Sequence, residues 1–265
     1  MSGRPLFVCV AIFVVVTTSA GCPPRVPGVD VKTLTDAQAV ARIHQAAARR
    51  QRMVGTVKAK LPGIEGVIAS AELDVALQPP ASLSVAVRSF FEQPQQELVT
   101  DGDVVTLYDA TSGKPVFRRG PADDKAVQRL LGIPLAPAEV VAAFLARPPD
   151  DATGHLVGVD EKAGTYTVAL DSDVIAPCEL VVRASDDAVL TWHQMRGDGT
   201  PIIDVGYGDL RAAGDAVVPF RWSLVLTTTK QAFDFVATDV TFNGPPLPAD
   251  AFRLEPPGNV PIEPL

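Results

Sequence analysis

Apolar and polar residues alternate at every second position along most of the chain, and this restricts the possible folds more than any other feature. In 53–61, Met53, Val57, Ala59 and Leu61 oppose Thr56, Lys58 and Lys60. In 72–78, Leu73, Val75 and Leu77 alternate with Glu72, Asp74 and Gln78, and in 82–88, Leu83, Val85 and Val87 alternate with Ser82, Ser84 and Arg88. Successive side chains on a strand point to opposite faces, so each segment has one face to cover and one to wet, as in antiparallel sheet. The pattern resumes at 96–100 and in the hairpin DGDVVTLYDATSGKPVFRRG. It returns at 154–159, 164–170, 178–184, 188–196, 201–210, 217–229 and 232–242. The row Val218, Phe220, Trp222, Leu224, Leu226 is notable for its bulk.

Two regions break the period. DAQAVARIHQAAARRQ places Val40, Ile43 and Ala47 on one stripe, predicting a helix over 35–50 with Asp36 as N-cap and Arg49 and Arg50 complementing its C-terminal dipole. In the middle, Asp123 or Asp124 can cap a helix that runs to Leu131 and stops at Gly132 and Pro134. A second helix over 138–146 carries Val140, Val141, Phe144 and Leu145 and ends at Pro148. The expected architecture is mainly β, one strongly curved antiparallel sheet with helices over its mouth or concave face. Such a sheet encloses either a packed core or an apolar ligand cavity.

The N-terminus, MSGRPLFVCVAIFVVVTTSAGC, has Arg4 before an unbroken apolar run from Leu6 to Val16. That run is shorter than the roughly 20 residues a spanning helix needs and fits a secretory signal peptide over 1–21; a short membrane anchor is the alternative. Its end, Ser19 to Cys22, resembles a bacterial lipobox, although Ser19 stands where Leu is commonest. The resemblance makes Cys22 the acylated N-terminal residue of the mature chain, carrying palmitate-type chains. Residues 22–34 then read as a Pro-rich tether, 35–244 as the folded domain, and 245–265 as a tail too Pro-rich for a sheet, anchored by Phe252 and Leu254. With Cys9 in the removable segment and Cys22 acylated, Cys178 has no disulfide partner and is expected to be a small buried hydrophobe.

The sequence holds 23 Lys+Arg against 31 Asp+Glu, a net charge of −8. An acidic surface without a basic cluster argues against nucleic acid as a partner. His44, His155 and His193 have no Cys or carboxylate at metal-ligand spacing, so no metal and no cofactor are expected. The chain has no nucleophile elbow, phosphate loop or dinucleotide fingerprint. Asp123/Asp124 and Asp150/Asp151 flank helix ends, and the expectation is a protein that is not an enzyme.

Two stretches carry a family resemblance. LLGIPLAPAEVVAAFLARPPDDAT resembles the helical insertion of the LolB outer-membrane lipoprotein receptor and the related LolA-type carriers. VRSFFEQPQQELVTDGDVVTLYD is similar to the strand, hydrophobic loop, strand and hairpin of the same family. The likeness runs patchily over 35–230 and is best at 82–155. It implies a half-open antiparallel barrel whose helices close an apolar cavity, acting as a monomer on the periplasmic side of the outer membrane. Its cargo would be acylated lipoproteins or lipids, received from a periplasmic LolA-like carrier and inserted into that membrane. The loop residues Phe90 and Phe91 occupy the family's membrane-insertion position; a loop folded back on the domain is the alternative. Leu73, Val75, Leu83, Val85, Phe144, Trp222 and Leu224 are the candidate cavity wall, unless they fill a solid core. In that second case the protein is a structural or assembly-scaffold lipoprotein that docks another envelope protein.

Overall fold

The structure, a computed structural model, describes residues 30–62, 68–88, 94–111, 113–248, 250–256 and 260–265. Its strands are β1 (Met53–Pro62), β2 (Ile68–Gln78), β3 (Ser82–Arg88), β4 (Pro94–Thr100), β5 (Val104–Asp109), β6 (Val116–Pro121), β7 (Thr153–Asp160), β8 (Thr165–Asp171), β9 (Cys178–Arg183), β10 (Ala188–Met195), β11 (Pro201–Ala213), β12 (Ala216–Leu226), β13 (Ala232–Phe242) and β14 (Ile262–Pro264). All fourteen form one sheet in the order β14-β6-β5-β4-β3-β2-β1-β13-β12-β11-β10-β9-β8-β7. Sequence neighbours pair as antiparallel hairpins on either side of a β1–β13 closure, so the chain's two arms meet in the middle of the sheet. The alternation becomes rows of inward-facing side chains: Tyr207, Trp222, Phe235, Ala59 and Ala71 in one register, and Trp192, Val205, Leu224 and Phe233 in another.

Strong curvature needs local relief. Between Thr56 and Val57 the β1–β13 register shifts by a bulge. Gly55 lies beside it at φ 146°, where an added Cβ would sit 1.9 Å from the Asp239 carbonyl oxygen. Only glycine permits that approach.

Three α-helices are described: α1 (Asp36–Ala48), α2 (Asp124–Leu131) and α3 (Pro137–Leu145). Thr35, rather than Asp36, caps α1: its Oγ1 accepts from Gln38 N at 3.4 Å while Gln38 Oε1 accepts from Thr35 N at 3.0 Å. Asp36 instead accepts from Leu156 N on the outermost strand β7 at 3.2 Å, so α1 covers part of that sheet edge. Asp123 caps α2, which Gly132 ends in the left-handed conformation, and Pro137 opens α3.

The two chain ends differ from expectation. The fold begins before residue 35: Val31 and Leu34 are buried in the core from a 3-10 turn over Val31–Thr33. The C-terminal tail does enter the sheet, since Ile262–Pro264 pairs parallel with Phe117–Arg119 of β6. A three-residue edge strand needs few donors, which is why proline is tolerated there. Arg118 reaches Glu263 at 3.5 Å, Arg119 reaches Glu255 at 3.6 Å, and Leu265 packs over Gly120.

Candidate functional site

The concave face is the site that the fold builds. Leu73 and Val75 come from β2, Leu83 and Val85 from β3, Trp222 and Leu224 from β12, and Phe144 from α3. All seven belong to one apolar cluster and none is more than 7 % exposed. The structure brings these seven side chains into one buried, packed cluster, with Phe144 of α3 laid against the strand residues. Phe144 stands against Trp222 at 5.5 Å and edge-on to Phe235 at 5.0 Å between ring centroids.

The attachment of α3 is polar at its end. Trp222 Nε1 donates to the Phe144 carbonyl at 2.9 Å and Tyr207 Oη to that of Ala143 at 2.6 Å. These are among the carbonyls a helix C-terminus leaves open. The Ala146 carbonyl, on a residue at φ 49°, accepts from Arg50 Nη1. Arg50 is 2 % exposed and also donates to the carbonyls of Val217 at 3.2 Å and Asp187 at 3.0 Å. Its charge thus complements the end of α3, not that of α1 as the sequence suggested. The guanidinium's pKa is lowered to about 10 because burial strips its water; the negative groups around it oppose that shift.

Beside Arg50, the Asp187 carboxylate accepts from Arg42 at 2.8 Å and from Tyr166 Oη at 3.2 Å. Burial pushes the Asp187 carboxyl above its ordinary range, against the pull of Arg42, and raises the Tyr166 phenol. This network pins α1 to the β9–β10 turn. Cys178 is buried as expected, with its thiol pushed up to about 12 by desolvation, which makes it unreactive in the native state.

On the other flank of α3 an open cleft of about 500 Å³ runs along Ala138, Val141 and Ala142. Pro79 and Pro80 of the β2–β3 turn, Pro148, Pro149 and Val174 complete it. Arg147 pairs with Asp150 at its rim at 2.7 Å.

His44 Nε2 meets the Ala152 carbonyl at 2.8 Å, and His193 Nδ1 meets Asp204 at 2.7 Å. Among the described residues no cluster of His, Cys, Asp or Glu could hold a metal ion, and no helix is long and apolar enough to cross a membrane. Cys22, Phe90 and Phe91 lie outside the described residues. The residues missed from sequence are Arg50, Asp187 and Tyr166 as the pin, Glu139 on α3, and Trp192 and Gln194 on β10. A signal existed for one of them, since Gln194 is polar at an inward position of the 188–196 alternation.

No protein family matches the sequence, and none of the curated proteins does. Solved structures do match in fold. A LolA superfamily protein, NE2245 from Nitrosomonas europaea, superposes with TM-score 0.58 at 13 % identity, over 83 % of this chain and 98 % of its own. A domain from Vibrio parahaemolyticus assigned to outer membrane lipoprotein sorting gives 0.61 at 8 % identity, over 82 % and 96 %. A DUF1329 family protein from Desulfovibrio piger gives 0.59 at 8 % identity, over 82 % and 95 %. The fold is LolA-like, a mainly β, strongly curved open sheet; at these identities the likeness concerns fold alone and does not single out LolB.

Proposed function

We propose that this protein is a bacterial envelope lipoprotein that binds acyl chains, free or on lipoproteins, against the concave face beneath α3, without catalysing a reaction. The observation that carries this reading is the wall itself. Leu73, Val75, Leu83, Val85, Trp222 and Leu224 form a continuous apolar surface roofed by one short helix, α3, whose end is held by side-chain hydrogen bonds. Covering a chain of methylenes is worth about 0.8 kcal/mol per CH₂, so a wall of this kind can extract acyl chains from water once α3 moves aside. The fold shared with a lipoprotein-sorting domain supports the same reading.

In the finer form of the proposal, Cys22 is acylated and holds the domain on the periplasmic face of the outer membrane. Phe90 and Phe91 dip into the bilayer, and cargo from a LolA-like carrier is inserted there. The test is mass spectrometry of lipids that copurify with the Cys22→Ala protein, paired with titration of an apolar fluorescent probe. Stoichiometric acyl lipid, displaced by the probe, is the expected result. A folded protein that carries no lipid and never binds the probe overturns the proposal.

A second reading, a scaffold that docks another envelope protein, is favoured by Val157 at 50 % and Val159 at 42 % exposure on the terminal strand β7. Its signature would be a protein complex lost in Val157→Lys/Val159→Lys while probe binding persists.

A further inference from the structure

On the covered face of β10, Gln194 interrupts the apolar row, and its hydrogen bonds are incomplete. Gln194 and Trp192 lie two residues apart on β10, on the same inward face, with Cα atoms about 7 Å apart. Both side chains are fully buried. Around Gln194 the facing positions are otherwise apolar: Cys178 and Leu170 on one side, Ile203 and Leu226 on the other. Glu139 of α3 fixes how the amide is turned. Its Oε1 accepts from Gln194 Nε2 at 2.6 Å and from Ala176 N at 3.3 Å, while its Oε2 accepts from Ala136 N at 2.9 Å. The nitrogen of Gln194 must therefore face Glu139, which leaves Gln194 Oε1 as an acceptor pointing elsewhere. Among the described residues Gln194 Oε1 has no donor, and Trp192 Nε1, also buried, has no acceptor. Buried polar groups are nearly always partnered, so an orphan donor and an orphan acceptor two residues apart on one face of β10 call for an explanation.

We infer that Trp192 and Gln194 form the polar subsite of the acyl site and recognise an amide-linked acyl chain. An N-acyl amide brings what the two orphans lack: a carbonyl oxygen for Trp192 N–H and an N–H for Gln194 Oε1. An ester supplies only the acceptor. A free fatty acid also lacks the donor and would place its carboxylate beside Glu139. A few polar groups set in an apolar wall are the usual means by which a lipid site fixes orientation. Both orphan atoms are covered in this structure, so ligand binding and displacement of α3 are one event. This inference rests on the acyl-chain reading above and adds the chemical class of the head.

The experiment compares N-methyldodecanamide with methyl dodecanoate, two neutral probes of matched chain length. Each competes against a bound fluorescent probe on the Cys22→Ala protein, in which no anchor lipid can occupy the site. Wild-type sequence at the subsite should favour the amide by roughly tenfold, in line with one well-made buried hydrogen bond. Gln194→Met should reduce the preference toward unity and leave ester affinity within about twofold, whereas Trp192→Phe, which removes the donor that both carbonyls use, should weaken amide and ester alike, with circular dichroism confirming the sheet. Equal affinity for amide and ester overturns the subsite while leaving the acyl-chain reading intact, as does a preference that survives Gln194→Met or an ester affinity that Trp192→Phe leaves unchanged. A protein that binds neither probe overturns both.

Discussion

The concave face is not uniform: α3 divides it into two flanks built on different physics. The flank formed by β1–β3, β12 and β13 is closed mainly by size and shape, through Met53, Leu73, Leu83, Trp222, Phe235 and their neighbours, with the Trp222 N–H as its polar hold on α3. The flank formed by β8–β11 holds charged and polar groups as deeply: Arg50, Asp187, Gln194 and the hydroxyls of Tyr166 and Tyr207. Apolar packing tolerates sliding and repacking, whereas buried hydrogen bonds demand one geometry and are costly when broken. The first flank is therefore suited to accept a featureless chain, and the second to fix where α3 and α1 sit.

The largest effect should come from Trp222→Ala in the apolar flank. It removes a ring against Phe144 and the cap on the Phe144 carbonyl together, and should cost the upper part of about 3–5 kcal/mol in denaturant unfolding. Arg50→Met in the polar flank should follow at about 3 kcal/mol, since it takes the guanidinium donor from three carbonyls, those of Ala146 and Asp187 in buried bonds and that of Val217 in a part-buried one. Because both side chains hold the same end of α3, the double variant should deviate from additivity by about 0.5–3 kcal/mol. Strict additivity would show that the flanks are independent and break the comparison.

A pH series sharpens it further. The Cys178 thiol has a folded pKa of about 12 against an ordinary 9, so between those values the native state holds a proton that the unfolded state has lost. The share of stability that Cys178 contributes should fall as pH rises from 9 to 12, by about 1.4 kcal/mol per unit at most, and the raised Tyr166 and Tyr207 phenols add to the fall above pH 10. The lowered pKa of Arg50 acts in the opposite sense above about pH 10, where the unfolded chain binds more protons. Cys178→Ala should flatten the fall below pH 10, and an unchanged profile in that variant would contradict the assignment. The smallest effect on stability belongs to Phe90→Ser/Phe91→Ser, expected within about 1 kcal/mol if these rings pack against neither flank. The same variant should lose much of its partitioning onto liposomes. A loss of several kcal/mol with unchanged partitioning would mean the rings close the apolar core.

The strands were legible because the sheet has one covered and one wet face, and a period of two survives any tertiary arrangement. Helices α2 and α3 were legible from Asp123, Gly132, Pro134 and Pro148, whose effects are local to the backbone. Six of the seven candidate residues could be assigned to the covered face in advance because an inward position on a strand is set by its neighbours in sequence; Phe144 was named from the apolar side of its helix. Their meeting under α3 is a property of the closed sheet.

Tertiary structure alone decided what the polar residues do. Arg50 looks like the end of an amphipathic helix, yet its partners Ala146, Asp187 and Val217 are 96, 137 and 167 residues away. Asp187 reads as a turn residue until Arg42 and Tyr166 are brought onto it. The C-terminal strand was hidden because three residues of parallel pairing leave no period to read. Hydrophobic burial is non-directional and follows composition along the chain, so the sequence by itself determined the sheet, its covered face and the helical interruption. Hydrogen bonds are directional and depend on which distant atoms arrive; the hold on α3, the pin on α1 and the orphan pair at Trp192 and Gln194 could be decided only by the folded chain.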